Sequence, residues 1–586
     1  MSFPVAREPV VLMDSCGGGD FPASWRFGGY VETLAASTAA EVPALLERVE
    51  RATAEGLFAA GYVAYEAAPG LDPVLSVRPA EGGLPVAWFA LYRERCPAGE
   101  EPAPAAHASV PPVLEPLLSP AEHAADLEEI RSRIAAGESY QVNHTFPLSG
   151  TFTGDPRALY RRIREGQQAP FGAYLDTGRF VVMSASPELF FACRDGVVTT
   201  RPMKGTAPRG RWGAEDRELA ARLASSPKER AENLMIVDLL RNDLGIIAET
   251  GTVRAEKIFA VESYPTVHQM TSTVTARLRR GTSLPEIFRA LFPCGSVTGA
   301  PKRRSMEIIA GLERSPRGVY CGAIGCVAPG GEATFSVAIR TLLLDRTTSR
   351  LILGVGSGVT WDSIAADEYR ECVGKSAFLH ADPAPFELIE TMRGEDGAIP
   401  RLERHLDRMA SSAAYFRYPF DRERALALLA TAADTGTPLR LRLTLDARGG
   451  FGLTASPLVI DGEPLRLGLA GLTIDPQDPF RYHKTSRREP LDRARLGRSD
   501  CDEVLFVNSR NELTEGSYHN LVLRLDGSLV TPRLESGLLP GVLRGELLER
   551  GDIREAAIHP ADLARAEEIW LINSLRGWRR AVLKEL

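Results

Sequence analysis

The sequence predicts an α+β protein of more than one domain, and three observations carry that expectation. The chain of 586 residues is too long for a single hydrophobic core, so two to four domains are expected. Two proline- and alanine-rich stretches, residues 97–116 and 381–385, read as linkers. The long segment between them mixes hairpin signals with capped helices, and a new strand and helix begin after the second. The expected organisation is an N-terminal region with its linker (1–116), a catalytic region (117–380), a short linker (381–385) and a last domain (386–586).

Composition narrows the function classes. With 44% hydrophobic and 25% charged residues the chain has the make-up of a soluble globular protein. A net charge of −7 and the lack of a basic stripe argue against a nucleic-acid partner. No apolar run reaches the roughly 18 residues of a membrane span. The first fifteen residues carry Arg7, Glu8 and Asp14 and no signal-like apolar stretch, so a cytoplasmic protein is expected. Eight cysteines are scattered without a CxxC pair, the closest being Cys321 and Cys326, which fits reduced thiols.

Of the 69 basic residues only seven are lysines. Arginine cannot give up its proton in a protein, whereas a desolvated lysine is a covalent catalyst. Two lysines stand in suggestive surroundings: Lys204 in Arg-Pro-Met-Lys-Gly-Thr and Lys484 in Tyr-His-Lys-Thr-Ser-Arg.

The elements follow in order. Leu189–Cys193 and Val197–Arg201 read as a hairpin around Asp195-Gly196. Reflection about Gly196 places Glu188 opposite Lys204, a carboxyl and an amine at one sheet end. Ser226 caps a helix that has Pro227 at its first position and runs to Gly245 past Glu232. A later helix, capped by Asp362 or Ser363, aligns Glu368, Glu371 and Lys375 on one face. Carboxylates from two helices suit a magnesium ion that keeps several waters. The stretch Pro293–Lys302 ends at a helix start, where the amides of Gly299 and Ala300 would favour an anion. Gly354, Gly356 and Gly358 allow close backbone approach to a ligand, and Arg340 suits a carboxylate.

Taken together, Ser-Pro-Glu188, Pro-Met-Lys204-Gly-Thr, Lys-Glu-Arg-Ala-Glu232-Asn, Gly-Ser-Val-Thr-Gly-Ala-Pro-Lys302 and Asp-Glu-Tyr-Arg-Glu371 resemble the chorismate-utilising enzymes over roughly residues 118–380. Leu12-Met13-Asp14-Ser15 resembles the companion segment of that family. The resemblance implies two packed β-sheets flanked by helices. It also implies a branch point at position 204: anthranilate- and isochorismate-forming members usually carry alanine there, the aminodeoxychorismate branch lysine. Met203 departs from the commoner isoleucine. By resemblance Lys204 attacks the chorismate ring, Glu188 protonates the leaving hydroxyl, and His268 is the active-site histidine. Glu232 and Glu371, with Glu368 beside them, would hold Mg2+. Tyr320, Arg340 and the Gly356 amide would hold substrate carboxylates, and Ser296, Gly299, Ala300 and Lys375 are further substrate contacts.

Residues 386–586 resemble the fold-type IV pyridoxal-phosphate enzymes. The resemblance rests on Pro400-Arg-Leu-Glu-Arg-His-Leu, the Lys484 stretch, Leu513-Thr-Glu-Gly-Ser-Tyr-His-Asn and Leu539-Pro-Gly-Val-Leu-Arg. It implies that Lys484 carries pyridoxal 5'-phosphate, that Glu515 pairs with its pyridine nitrogen, and that Arg401 with the Val542 and Leu543 amides holds its phosphate. Asn573-Ser574-Leu-Arg-Gly-Trp is more like the lyase branch and marks Asn573 and Ser574 as substrate contacts.

Both resemblances together imply a bifunctional route from chorismate and ammonia to 4-aminobenzoate. A chorismate-aminating module joined to an aminotransferase, or to an inactive module, is the alternative. The chain has no Gly-x-Cys-x-Gly nucleophile stretch, so ammonia or a separate glutamine amidotransferase subunit is expected as partner. Fold-type IV relatives are commonly dimers, which suggests a homodimer through the last domain.

Overall fold

The computed structural model describes residues 8–16, 24–98, 110–380, 384–431, 437–460 and 464–584. The middle of the first expected linker and the start of the second lie outside the described residues. Two compact units emerge, Met1–Pro208 with Ala220–Pro383, and Arg209–Leu219 with Ala384–Leu586.

In the first unit the described strands join into one sheet of eighteen. Strand Val10–Asp14 pairs with Trp25–Ala36 on one side and Phe171–Asp176 on the other, sewing two packed layers together. Val11, Leu175 and Val182 from one layer pack with Tyr62, Trp88 and Ile324 from the other. N-terminal strand Phe58–Val63 pairs with Ala323–Val327, so residues before the first linker share the sheet of those after it. The outer face is covered by helices. Helix Val42–Ala54 buries Val42, Leu45, Leu46 and Val49, one apolar stripe at helical spacing, against strands Phe58–Val63 and Ala87–Pro97. Each such side chain contributes roughly 1.5–3 kcal/mol relative to exposure.

Helix Pro227–Gly245 has the predicted bounds, with the Ser226 hydroxyl accepting the Glu229 amide. Three local expectations need correction. The hairpin turns on Asp195 and Gly196 together, pairing Val197 with Arg194, and a bulge then sets Arg201 opposite Leu189. Pro202, which has no N–H to donate, ends that pairing, and strand Met203–Pro208 pairs with Val267–Arg277 instead. Glu188 is therefore not the cross-strand partner of Lys204. The helix carrying Glu368 and Glu371 spans Ala365–Gly374 and starts after Ile364, while the Ser363 hydroxyl closes a turn by accepting the Thr360 amide. Gly299–Ala300 forms a short strand against Gln141 and Val142, and the helix begins only at Lys302, behind Pro301. Their amides are thus not the first turn of that helix.

Among the described residues, the second unit holds a three-stranded antiparallel sheet and a mixed eight-stranded one. In strand Leu439–Leu445 the leucines at 439, 441, 443 and 445 face helix Leu402–Phe416, while Arg440 and Arg442 alternate onto the other face. The backbone carbonyl of Lys484 accepts the Ile389 amide at 2.8 Å, which ties the lysine to the edge of strand Leu388–Gly394.

Candidate active sites

The first site gathers at the end of the hairpin. Glu188 precedes strand Leu189–Arg194, is 2% exposed, and accepts the Met203 amide at 3.4 Å. Burial pushes its carboxyl up to about 7, against the opposing pull of the Ser296 hydroxyl and the Lys204 charge. Lys204 is half-buried; desolvation, then the Lys375 charge, hold its amine below the ordinary lysine range. The Asn233 amide donates to the Lys204 carbonyl at 3.1 Å, fixing the backbone beneath it. His268 is buried on strand Val267–Arg277 with Nδ1 2.9 Å from the Ser263 hydroxyl.

The acidic residues approach from two helices. Burial raises the Glu232 carboxyl, which also feels Lys204 and Glu368. Glu371 goes the other way: burial opposes ionisation, but Lys375, 2.8 Å away, lowers its pKa. Lys375 also donates to the Gly356 carbonyl at 2.7 Å. Among the described residues no three His, Cys, Asp or Glu groups converge as a ready-made metal centre. Carboxylate oxygens are nevertheless the hard donors magnesium takes, and that ion uses one or two of them beside water and substrate.

Tyr320 is placed by a glycine. A Cβ on Gly354 would sit 2.2 Å from the Tyr320 ring, so only glycine lets the ring lie over this strand. Arg340 has left-handed backbone (φ 51°) and donates to the neutral Gln167 amide at 3.0 Å. Burial lowers its guanidinium to about 10, the state of a cation short of negative charge.

The second site is a cavity of about 1000 Å3. Lys484, Glu515, Val542, Asn573 and Ser574 all line it. Desolvation, helped by Arg408, lowers Lys484 to about 8, while burial raises Glu515 to about 7. Glu515 accepts the Leu539 amide at 3.1 Å and the Asn520 amide at 3.2 Å. The wall carries ten arginines against four carboxylates, an excess that suits an anionic occupant. A proton-releasing lysine, a half-buried acid, a helix starting at Val542 and this cationic wall fit pyridoxal phosphate. Arg401 and Leu543 are not on the wall: Arg401 precedes helix Leu402–Phe416 and its guanidinium pairs with Glu546.

Sequence reasoning passed over a buried chain in this cavity. Ser574 meets His405 Nε2 at 2.8 Å, His405 Nδ1 meets Glu390 at 2.7 Å, and Arg408 pairs with Glu390 at 2.7 Å. Burial opposes ionisation of Glu390, yet Arg408 and His405 hold it down to about 2. The i, i+3 spacing of His405 and Arg408 on one helix face was the available signal.

Comparison with known proteins follows this division. Residues 23–381 match the chorismate binding enzyme family, and residues 387–583 match amino-transferase class IV. Aminodeoxychorismate synthase of Streptomyces griseus is 46% identical over 48% of this chain and 39% of its own length. Aminodeoxychorismate synthase component 1 of Klebsiella aerogenes is 42% identical over 45% of this chain and 58% of its own length. The matched part of the chain thus spans well under two thirds of these relatives. Among solved structures, anthranilate synthase component I from Streptococcus pneumoniae superposes with a TM-score of 0.54 at 25% identity, over 65% of this chain and 93% of that one.

Proposed function

Because this chain belongs to the chorismate binding enzyme family and carries a C-terminal class IV amino-transferase domain, we propose that it makes 4-aminobenzoate from chorismate and ammonia in two steps. The carrying observation is the proximity of a desolvated lysine, Lys204, to a carboxyl, Glu188, that burial keeps protonated to near neutrality.

In the first step Lys204 Nζ bonds to the ring carbon as the C4 hydroxyl departs as water, taking the Glu188 proton. Ammonia then forms the new C–N bond as the bond to Nζ breaks. The excess proton on the new amine returns to Glu188, leaving 4-amino-4-deoxychorismate. Tyr320 and Arg340 orient the substrate carboxylates. Glu232 and Glu371, with Glu368 nearby, would hold Mg2+, whose charge offsets that of the dianionic substrate.

In the second unit Lys484 would hold pyridoxal phosphate, and Glu515 would keep the pyridine nitrogen protonated. The cofactor, when bound, supplies an electron sink. Lys484 takes the C4 proton of 4-amino-4-deoxychorismate; the enolpyruvyl C–O bond breaks, pyruvate leaves, and the ring becomes aromatic. Asn573 and Ser574 orient the substrate. Ammonia comes from solution or from a separate glutaminase subunit, as the component 1 naming of the Klebsiella relative supports. We also place the chain in the cytoplasm, with residues 1–116 as the N-terminal part and linker of the first module, 117–380 as its catalytic part, 381–385 as a linker and 386–586 as the last domain.

The test is to incubate the purified chain with chorismate, ammonium and magnesium, with and without pyridoxal phosphate. 4-Aminobenzoate and pyruvate are expected with cofactor, and 4-amino-4-deoxychorismate without it. Unconsumed chorismate overturns the first step, and an unconverted intermediate in the presence of cofactor overturns the second.

A further inference from the structure

The stretch Arg209–Leu219 falls inside the region that matches the chorismate binding family, yet it packs as part of the second compact unit. It begins where strand Met203–Pro208, which carries Lys204, ends. Within the second unit it covers the two residues that precede Lys484. The Trp212 ring lies 5.0 Å from that of Tyr482. Arg209 lies over the Tyr415 ring at 4.3 Å, and Tyr415 sits 4.4 Å from the His483 ring. Hydrogen bonds fix this stack: the Tyr415 hydroxyl donates to the Gly210 carbonyl at 2.8 Å, and Arg209 donates to the Tyr415 carbonyl at 3.0 Å. A Cβ on Gly213 would meet Ser411 Oγ at 2.5 Å, so glycine allows the close approach. Tyr482 and His483 are left 1% and 5% exposed.

Two features exceed what packing alone requires. Arg209 pairs with Asp216 at 2.7 Å, with side chains only 6% and 12% exposed. Apolar residues in place of such a buried pair are often as stable or more so, which makes stability a poor account of it. Secondly, among the described residues no hydrogen bond or ion pair holds the Lys484 amine, so its aim depends on its backbone. The Ile389 amide holds that backbone from one side. Tyr482 and His483, gripped by the Arg209–Leu219 stretch, hold it from the other.

We propose that Arg209–Leu219 positions Lys484 for the second reaction, Trp212 acting through Tyr482 and the Arg209–Asp216 pair through Tyr415 and His483. The inference rests on Lys484 being the cofactor lysine. It adds that the second module's site is completed by a stretch of the first module's sequence.

The experiment uses the full-length chain, supplied with pyridoxal phosphate and 4-amino-4-deoxychorismate. Trp212→Ala is expected to lower kcat for pyruvate release about 10²-fold, the worth of a misplacement near 1 Å, with KM within about twofold. Its affinity for pyridoxal phosphate, titrated by visible absorbance in the absence of substrate, should fall about 10-fold. The visible circular dichroism of the bound cofactor, which reports a fixed orientation, should weaken as well. Trp212→Phe keeps a ring against Tyr482 and should restore most of all three. The paired change Arg209→Met with Asp216→Leu leaves no unpaired charge, so its melting temperature should hold while kcat and the dichroism fall. This pair decides the matter if Trp212→Ala does not fold. Parental kcat and dichroism in the paired variant overturn the inference, and so does a loss that appears only in step with a lower melting temperature. A parent chain that binds no pyridoxal phosphate removes the reading of Lys484 and this inference with it. A working parent with an indifferent paired variant removes this inference alone.

Discussion

The Met203 amide donates to the Glu188 carboxylate across the broken end of the hairpin, and this bond, rather than strand register, brings Glu188 to the lysine that follows Met203. The contact holds the acid at the start of the strand that carries the amine. Replacing each separately should divide the chemistry. Lys204→Met is expected to reduce chorismate amination to background while leaving pyridoxal-phosphate binding to the second unit intact, read by visible absorbance. Glu188→Gln should lower kcat by about 10²–10⁴-fold, the usual worth of a general acid.

The Glu188 carboxyl also sets a pH dependence. Its folded pKa of about 7 lies above the 4.5 of an ordinary glutamate, so the folded protein binds this proton more tightly than the unfolded chain does. Its contribution to stability is complete below about pH 4.5 and is lost as pH rises through 7. Glu188→Gln should therefore gain on the parent by up to roughly 3 kcal/mol at pH 8. Urea unfolding at pH 5 and pH 8 checks this; an equal difference at both values would sink the assignment.

Glu390 titrates in the opposite sense. Its pKa, lowered to about 2, gives stability that is present above about pH 4.5 and lost as pH falls through 2. Arg408→Met leaves a buried carboxylate short of its strongest partner and should cost roughly 3–5 kcal/mol at pH 7. Denaturant midpoints of the second unit, followed by cofactor absorbance, measure it.

Gly354→Ala places a methyl group inside the Tyr320 ring contact. Overpacking of this kind costs roughly 1–3 kcal/mol. The displaced ring should raise the KM for chorismate more than it lowers kcat, which steady-state kinetics would resolve. Unaltered kinetics would argue that Tyr320 does not touch substrate.

Sequence signals that act over a few residues were easily read. The Ser226-Pro227 start and Gly245 stop of one helix, and strand Val197–Arg201, occur where cap and turn chemistry put them. What escaped depended on tertiary partners. A single bulge after Thr199 and the missing N–H of Pro202 moved the pairing of Glu188, and reflection about a turn cannot foresee either. Gly299 and Ala300 looked like a helix start because the stretch Pro293–Lys302 runs into one, yet a neighbouring strand claims them. Arg408 was hidden for the reverse reason, since an arginine in a helix reads as surface until its buried glutamate is seen.

The bond from the Ile389 amide to the Lys484 carbonyl has a practical consequence. It makes a single backbone proton a reporter on the lysine. Deuterium should replace that proton slowly while the edge of the small sheet stays closed, and slower still once a ligand clamps Lys484 from the cavity side. Occupancy of the second site could then be followed by mass spectrometry of the peptide around Ile389, with no turnover required.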